Sequence, residues 1–264
     1  MKRRIITFLT DFGRKDHYVA SMKGVILGIN PACTLVDISH EVRPHDIREG
    51  ALTLANAYSY FPKGTIHLAV VDPGVGSSRK PVLFMTKDYF FLGPDNGVLS
   101  LAAEKDGVKK AIVLSNRNFF RPSVSSTFHG RDIFAPVAGY LSTGIKPESL
   151  GRIVRSWVKF DFGKPWIVKG DLVGEIFHID AFGNMVTNVS QQDLNRFAKK
   201  RAIVISIGKR EIRGLRRSYW EARKRELLAL IGSGEFLEIS VREGDAQKVL
   251  KCRRSDRVRI RLQN

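Results

Sequence analysis

Short β-like runs alternate with helix-like segments along the first ~160 residues of this chain. The runs are rich in Val, Ile, Leu and Phe and predict strands at 4–9, 34–39, 65–72, 81–86, 89–93 and 110–115. Asp16 and Asp46 are placed to cap helices that run to about Ile29 and about Tyr60. Further helices are predicted over 98–104 and 133–141. This alternation predicts an α/β sandwich domain whose mostly parallel sheet is covered by helices on both faces.

The composition changes after Phe160. Residues 161–171 are rich in Gly and Pro and have no helical period, which is typical of a connection between domains. Beyond it, turn residues separate strands predicted at 172–180, 184–190, 202–207, 235–241 and 257–262. The pattern predicts a small all-β barrel or sandwich, so we assign the domains to 1–162 and 171–264. Residues 218–231 fit either a helix or a loop followed by a strand.

Length and composition exclude several classes of protein. A chain of 264 residues with 43% apolar residues can bury a core without disulfides or metals. No apolar run approaches the ~20 residues of a membrane span, and Asp11 interrupts the first run too early for a signal peptide. Cys33 and Cys252 lie far apart without metal-type spacing, which favours a reducing cytoplasm. We therefore expect a cytoplasmic protein.

The chain is strongly basic, with a formal net charge of +18. Basic residues are dense late in the chain, at 199–201, 213–226 and 251–261. A basic patch can bind nucleic acid or another polyanion. In 257–262, however, basic and apolar residues alternate as in a strand with one solvated face. A solvated basic surface is the simpler interpretation, and a nucleic-acid partner is not expected.

The N-terminal candidate residues lie in loops at predicted strand ends, where α/β proteins usually bind ligands. In TDFG, Asp11 is placed either to accept the hydroxyls of a ribose or to cap a turn. In DPGVGSSR, Asp72 and Arg79 flank a Gly-rich loop without phosphate-loop spacing, so an ion pair alone explains them. His129, in TFHGRD, is by itself more simply a structural residue. The histidines show no metal-ligand pattern, and no metal site is expected.

The β-rich half contributes two further motifs. HIDAFGN contains Asp180, Phe182 and Asn184, an arrangement suited to stacking on a base and bonding its edge. The same residues are equally ordinary at a hairpin turn. IGSGEFLEI offers the Ser233 hydroxyl, backbone amides and the Glu238 carboxylate.

Taken together, the motifs resemble those of the S-adenosyl-L-methionine (SAM) hydroxide adenosyltransferases, or SAM hydrolases, which are relatives of the fluorinase and chlorinase enzymes. The sequences TDFG, DPGVG with its following Arg, GPDNG, TFHGRDIFAP, IDAFGN and LEI occur in the family's order over nearly the whole chain. The resemblance implies an N-terminal α/β domain and a C-terminal β-barrel. It also implies a homotrimer with active sites between neighbouring subunits. SAM and water would react to adenosine and L-methionine, with SAM as substrate and no cofactor.

The same resemblance implies roles for individual residues. Asp11 would hold the ribose diol, and Asp72, Arg79 and His129 would form a triad that activates water. The remaining positions would bind the nucleoside and methionine portions of the substrate: Asp180, Phe182, Asn184, Ser233, Glu238 and the backbone near Val241.

Two differences separate this chain from the halogenating relatives. The halogenases have a tyrosine aligned with Asp72, and the fluorinase has Tyr-Ser in place of His129-Gly130. These differences favour hydrolysis over a SAM-dependent halogenase activity. A nucleic-acid-binding β-domain is the alternative from another class, but it leaves Asp11, Asp72 and His129 without a role.

The chain also departs from the family pattern at two positions. Glu235 stands where the family usually has a glycine, and Gly234 stands where the fluorinase has an arginine that contacts methionine. Recognition of the methionine carboxylate is therefore left open by the sequence.

Overall fold

A computed structural model describes residues 4–263, and the chain divides after Phe160 into two compact units. The N-terminal unit contains a seven-stranded sheet in the order β2-β1-β3-β5-β4-β6-β7. Its strands are β1 (Ile5–Thr10), β2 (Thr34–Ser39), β3 (Ile66–Val70), β4 (Pro81–Thr86), β5 (Phe90–Pro94), β6 (Val108–Leu114) and β7 (Gly151–Val154). The neighbours from β2 to β5 pair in parallel, whereas β4 pairs antiparallel with β5 and β6, and β7 with β6. The predicted α/β class is confirmed, with a mixed sheet.

Helices cover this sheet, and the alternation of side chains along the strands fills two separate cores. The helices are α1 (Tyr18–Ile29), α2 (Ile47–Ala57), α3 (Ser100–Asp106) and α4 (Ala135–Ser142). Phe8 packs with α1 and α4 in one core, and Leu9 packs with α2 and α3 in the other. Asp46 caps α2 as predicted, but α1 begins after His17 without a side-chain cap, so the predicted cap at Asp16 is wrong.

The C-terminal unit is an antiparallel, nearly closed barrel, in agreement with the predicted fold class. Its strand order is β12-β11-β15-β9-β10-β14-β13, and β8 adds to β9. The strands are β8 (Trp166–Val168), β9 (Asp171–Ile179), β10 (Met185–Ser190), β11 (Ile203–Ile207), β12 (Arg210–Arg213), β13 (Leu227–Ile231), β14 (Phe236–Val241) and β15 (Arg257–Leu262). A bridge between Arg216 and Leu230 joins the segment after β12 to β13 and so approaches closure.

Two short helices and one ambiguous segment complete this unit. The helices are α5 (Gln191–Ala198) and α6 (Ala246–Leu250). Within 218–231, a single 3-10 turn at Tyr219–Glu221 precedes a loop and β13, so the loop-then-strand interpretation is confirmed. On β15, Val258 and Ile260 are fully buried while the alternating arginines face outward, as the period-two pattern predicts. No helix within residues 4–263 has the length and apolar character needed to cross a membrane.

Candidate active site

Asp72 and Arg79 form a buried ion pair across the Gly-rich loop that follows β3. Arg79 Nε donates to Asp72 Oδ1 at 3.0 Å, and Arg79 Nη2 donates to Asp72 Oδ2. The Arg79 side chain is only 9% exposed and the Asp72 side chain only 5%. A two-point contact of this kind fixes the plane of the guanidinium as well as its position. Arg79 also lies over the ring of Phe134, with 5.4 Å between its Cζ and the ring centroid.

His129 joins this pair as a hydrogen-bond acceptor. It stands just before a π-helical turn at Gly130–Phe134, and its Nδ1 lies 2.8 Å from Arg79 Nη2. Because a guanidinium has donors only, Nδ1 must be the acceptor, and the ring is neutral with its proton on Nε2. Burial first, and then the positive charge of Arg79, lower the pKa of His129 below its usual value. The three predicted catalytic residues therefore form one chain of contacts.

One donor of Arg79 remains available for another molecule. Its Nη1 is buried and has no hydrogen-bond partner within residues 4–263. A buried N–H group without an acceptor is costly, and a bound water or substrate oxygen would satisfy it. The cluster therefore presents an unused donor next to a neutral imidazole.

Close backbone approach brings the two loops of this cluster together. Gly76 has a φ of +79°, and a Cβ at this position would lie 2.5 Å from the carbonyl oxygen of Ser126. The Ser126 segment is held in turn by Asp132, whose fully buried carboxylate accepts from Ser125 N at 2.9 Å. A Cβ at Gly130 would lie 3.1 Å from Met22 Sδ, so a larger residue there would require the Met22 side chain to shift by a few tenths of an ångström. Glycine is thus needed at position 76, where both the positive φ and the close Ser126 carbonyl exclude a side chain.

Asp11 lies at the same edge of the sheet. It follows β1, which pairs in parallel with β3 so that Thr10 lies opposite Val70. The carboxyl ends of these strands therefore bring Asp11 and Asp72 to one edge, the usual ligand edge of an α/β sheet. Asp11 Oδ2 accepts from His45 N at 2.8 Å, and His45 adopts a φ of +66°. The backbone of His45 is therefore in the left-handed region at the point where it bonds the Asp11 carboxylate.

The candidate residues from the C-terminal half line one cavity of about 1000 Å³ within that unit. All of the predicted binding residues of this half take part: Asp180, Phe182, Asn184, Ser233, Glu238 and Val241. A cavity of this size is large enough for a nucleoside with an amino-acid tail. The structure thus collects the predicted residues into two groups, one in each unit.

The HIDAFGN motif is a tight turn that exposes an aromatic ring. Asp180 Oδ1 accepts from the backbone amides of Phe182 and Asn184 at 2.8 and 2.9 Å, and its Oδ2 accepts from Asn184 Nδ2 at 2.9 Å. Gly183 has a φ of +81°, and a Cβ there would collide with Asp245. The side chain of Phe182 remains 77% exposed while lining the cavity. The turn interpretation is correct, and it also leaves a ring face available for stacking.

Glu238 is the buried acid of the cavity. It is 7% exposed, and its Oε1 accepts from Tyr219 Oη at 2.6 Å and from Ser240 Oγ at 2.8 Å. Burial and this hydrogen bond raise the pKa of Tyr219 above its ordinary value, so its hydroxyl stays protonated. Tyr219 was missed by sequence reasoning, although the aromatic pair in RRSYWEAR, an unusual feature in a basic stretch, was a signal.

Other lining residues were also missed, and five of them are charged. These five come from the same basic segment and from the residues that lead into and begin α6: Arg217, Arg225, Glu243, Asp245 and Lys248. Within residues 4–263, no group of three or more His, Cys, Asp or Glu side chains is arranged to hold a metal ion.

Two family models match this chain, one over each unit. The SAM hydroxide adenosyltransferase N-terminal domain matches residues 6–151, and the C-terminal domain of the same family matches residues 174–259. The chain belongs to the SAM hydroxide adenosyltransferase family. The family predicted from the motifs is thereby confirmed, together with the enzyme class that it carries.

The similarity to relatives named as SAM hydrolases extends over almost the whole chain. An (R)-S-adenosyl-L-methionine hydrolase from Methanocaldococcus jannaschii is 38% identical, covering 97% of this chain and 95% of the relative. A fluorinase from Actinoplanes sp. is more distant, at 30% identity over 73% of this chain and 74% of the relative. A crystal structure of an uncharacterized conserved protein from Thermotoga maritima is similar with a TM-score of 0.89 at 39% identity, covering 97% of this chain and 99% of that one.

Proposed function

We propose that this protein hydrolyses SAM to adenosine and L-methionine by in-line attack of water on the ribose C5′. The observation that supports this most directly is the contact chain of Asp72, Arg79 and neutral His129, with one buried donor of Arg79 unused. A tyrosine at position 72, as in the halogenases, would remove the carboxylate that holds Arg79. The relatives named as SAM hydrolases support the same reaction.

The chemistry of the substrate fits these residues. Methionine leaves from a sulfonium as a neutral thioether, so the leaving group needs no acid. The difficulty is to place a weak nucleophile in line with the breaking C5′–S bond. Arg79 Nη1–H and His129 Nε2–H are both donors, so together they orient the water oxygen and stabilise the negative charge of an attacking hydroxide. In this arrangement His129 does not accept the proton, because its only lone pair is bound to Arg79. The proton that the attacking water loses passes to bulk solvent as the O–C5′ bond forms and the C5′–S bond breaks.

The residues outside the triad would hold the two ends of the substrate. Asp11 accepts the ribose hydroxyls, Phe182 stacks on the adenine, and Asn184 bonds its edge. Ser233, Glu238, Asp180 and the Val241 backbone complete the binding of the nucleoside and methionine portions. No cofactor takes part. We place this reaction in a cytoplasmic homotrimer in which neighbouring subunits share each active site, and the buried thiols of Cys33 and Cys252 are consistent with a reducing compartment.

The test is incubation of the purified protein with each sulfonium epimer of SAM in H₂¹⁸O, with and without chloride. We expect adenosine carrying one ¹⁸O at its 5′ oxygen, unlabelled methionine, and no chlorodeoxyadenosine. Both epimers are needed because the named relatives are (R)-SAM hydrolases. Chlorodeoxyadenosine would indicate a halogenase, and a result in which both epimers stay unchanged would contradict the proposal.

A substitution at Arg79 tests the triad itself. Arg79→Lys keeps the charge but cannot bond Asp72 at two points and His129 at the same time. We expect kcat to fall roughly 10²–10³-fold, as for loss of a donor at developing negative charge. Arg152→Lys, an exposed change on β7, is the matched control and should keep wild-type kcat. Equal rates for both variants would remove Arg79 from the mechanism.

A further inference from the structure

The turn that carries Asp11 is held at three points by the segment that follows β2. We call Thr10–Gly13 the Asp11 turn. His40 Nδ1 shares a hydrogen bond of 2.8 Å with Thr10 Oγ1, and the carbonyl of His40 accepts from Gly13 N at 2.8 Å. The third contact is the one between His45 N and the Asp11 carboxylate. The turn is therefore clamped immediately before Asp11, shortly after it, and at its carboxylate.

His40 is the centre of this support and is itself fixed from the other side. It is 2% exposed and Thr10 is fully buried. His40 Nε2 lies 3.1 Å from Asp37 Oδ1. Lys23 Nζ lies 2.7 Å from the other oxygen of Asp37. Thr10 Oγ1 also accepts from Phe12 N at 3.3 Å, which ties the hydroxyl to the backbone beside Asp11.

The chain offers an internal comparison on the same strand. Thr7 Oγ1 shares a 2.8 Å hydrogen bond with His67 Nδ1, and both residues are fully buried. Thr7 and Thr10 both lie on β1, and each bonds a buried histidine. Only Thr10 is joined to Asp11, whereas His67 packs among aromatic rings, including Phe91 at 5.1 Å. The Thr7 contact has no link to Asp11. A comparison of variants at the two threonines therefore measures what the Thr10–His40 contact contributes to the position of Asp11.

We propose that Thr10 and His40 are positioning residues that fix the Asp11 carboxylate for the ribose diol of the substrate. This inference rests on the proposed function, because it takes Asp11 as the group that binds the diol. Neither residue touches the substrate; each acts through the Asp11 turn. Loss of the Thr10 hydroxyl leaves the Asp11 side chain unchanged but removes one of the three contacts that orient its carboxylate.

The experiment compares Thr10→Val with Thr7→Val, which each delete a hydroxyl bonded to a buried histidine, while Thr10→Val also removes the contact with Phe12 N beside Asp11. Binding of adenosine and of 2′,3′-dideoxyadenosine is measured by calorimetry, and the ratio of their affinities reports the diol contact. We expect this ratio to fall about tenfold or more in Thr10→Val, the size of a lost hydrogen bond to a charged group. Thr7→Val should keep the wild-type ratio while losing a similar amount of thermal stability.

Thr10→Ser keeps a hydroxyl and is the conservative variant, so its ratio should stay close to wild type. Equal ratios in Thr10→Val and Thr7→Val, a lost ratio in Thr10→Ser, or a wild type that does not distinguish the two nucleosides would each overturn the inference. A protein that fails to hydrolyse SAM but loses its diol preference only in Thr10→Val would refute the proposed function and keep this inference. The two failures are therefore distinguishable.

Discussion

Arg79 sets the protonation of its neighbour because it can only donate. Its two-point contact with Asp72 directs Nη2 toward His129, whose Nδ1 is left no alternative to accepting. A protonated ring would place an N–H against the guanidinium and break this contact. In the proposed mechanism the neutral ring is the active form. The lowered pKa of His129 keeps the cluster intact to a pH below the usual histidine range.

The titration of His129 by NMR tests this coupling. We expect a midpoint below ~6.5, the ordinary value for histidine. In Arg79→Gln the midpoint should rise, because burial remains but the positive charge is lost and Asp72 still favours the charged ring. Arg152→Gln removes the same charge from an exposed position and should leave the midpoint unchanged. In the wild type, the acid limb of kcat/KM should follow the same lowered midpoint.

Glu235 adopts a backbone conformation that favours glycine. It adopts a φ of +65° in the hairpin between β13 and β14, at the position where the family usually has glycine. Glu235→Gly should have a free energy of unfolding about 1 kcal/mol higher than Glu235→Ala, measured in urea. Both variants lose the side chain, but only glycine relieves the left-handed strain. Equal stability of the two would show that the strain is absent.

At the scale of elements, α5 shows how local chemistry fixes a helix within a β unit. Ser190 Oγ accepts from Asp193 N at 3.1 Å while Asp193 Oδ2 accepts from Ser190 N at 3.1 Å, a reciprocal capping box. Ser190→Ala should lower the free energy of unfolding by about 1 kcal/mol. Ser190→Thr retains the oxygen and should lose much less, so similar losses in chemical denaturation would contradict the capping role.

The elements that sequence reasoning identified are those with their own periodic signal. The strands β1 to β6 and the core strands of the barrel have apolar runs, and the predictions located them closely. The short strands β7, β8 and β12 have no such signal, because their pairing partners determine them. The helix α5 was missed although its Ser-x-x-Asp signature was present.

The candidate site was predicted from motifs, but its contacts were not. Sequence spacing cannot show that Arg79 bridges Asp72 and His129, which are 57 residues apart in the chain, nor which nitrogen of the imidazole accepts. Tyr219 was missed for a similar reason, since its role exists only when the loop lies against Glu238 on β14. The roles of Arg79, His129 and Tyr219 depend on which side chains they contact in the folded protein, and residue type alone does not reveal those contacts.

For the whole molecule, the dominant property is the charge of +18. Part of the basic surface is compensated, since Arg259 lies 3.1 Å from Asp171 and Arg261 lies 2.8 Å from Glu211. Exposed ion pairs of this kind contribute little to stability, whereas a large net charge repels itself throughout the fold. We expect self-repulsion to dominate at low ionic strength.

Thermal unfolding at two salt concentrations tests this balance. Raising NaCl from about 10 mM to about 150 mM should raise Tm by about 2–4 °C, because the Debye length shortens and like charges are screened. The double variant Lys209→Gln/Arg210→Gln, at exposed positions around the start of β12, should show a smaller rise. A Tm that falls with salt would mean that ion pairs outweigh repulsion.

The close contact between Gly76 and the Ser126 carbonyl has a consequence for how substrate is received. The two loops approach each other closely through backbone atoms, so the fold itself brings together the loops that carry Arg79 and His129. In the proposed reaction, an arriving sulfonium would meet this part of the site already formed. Binding free energy can then serve to align C5′ for attack. A bulkier residue at position 76 would push the two loops apart, and part of the binding free energy would be needed to restore their arrangement.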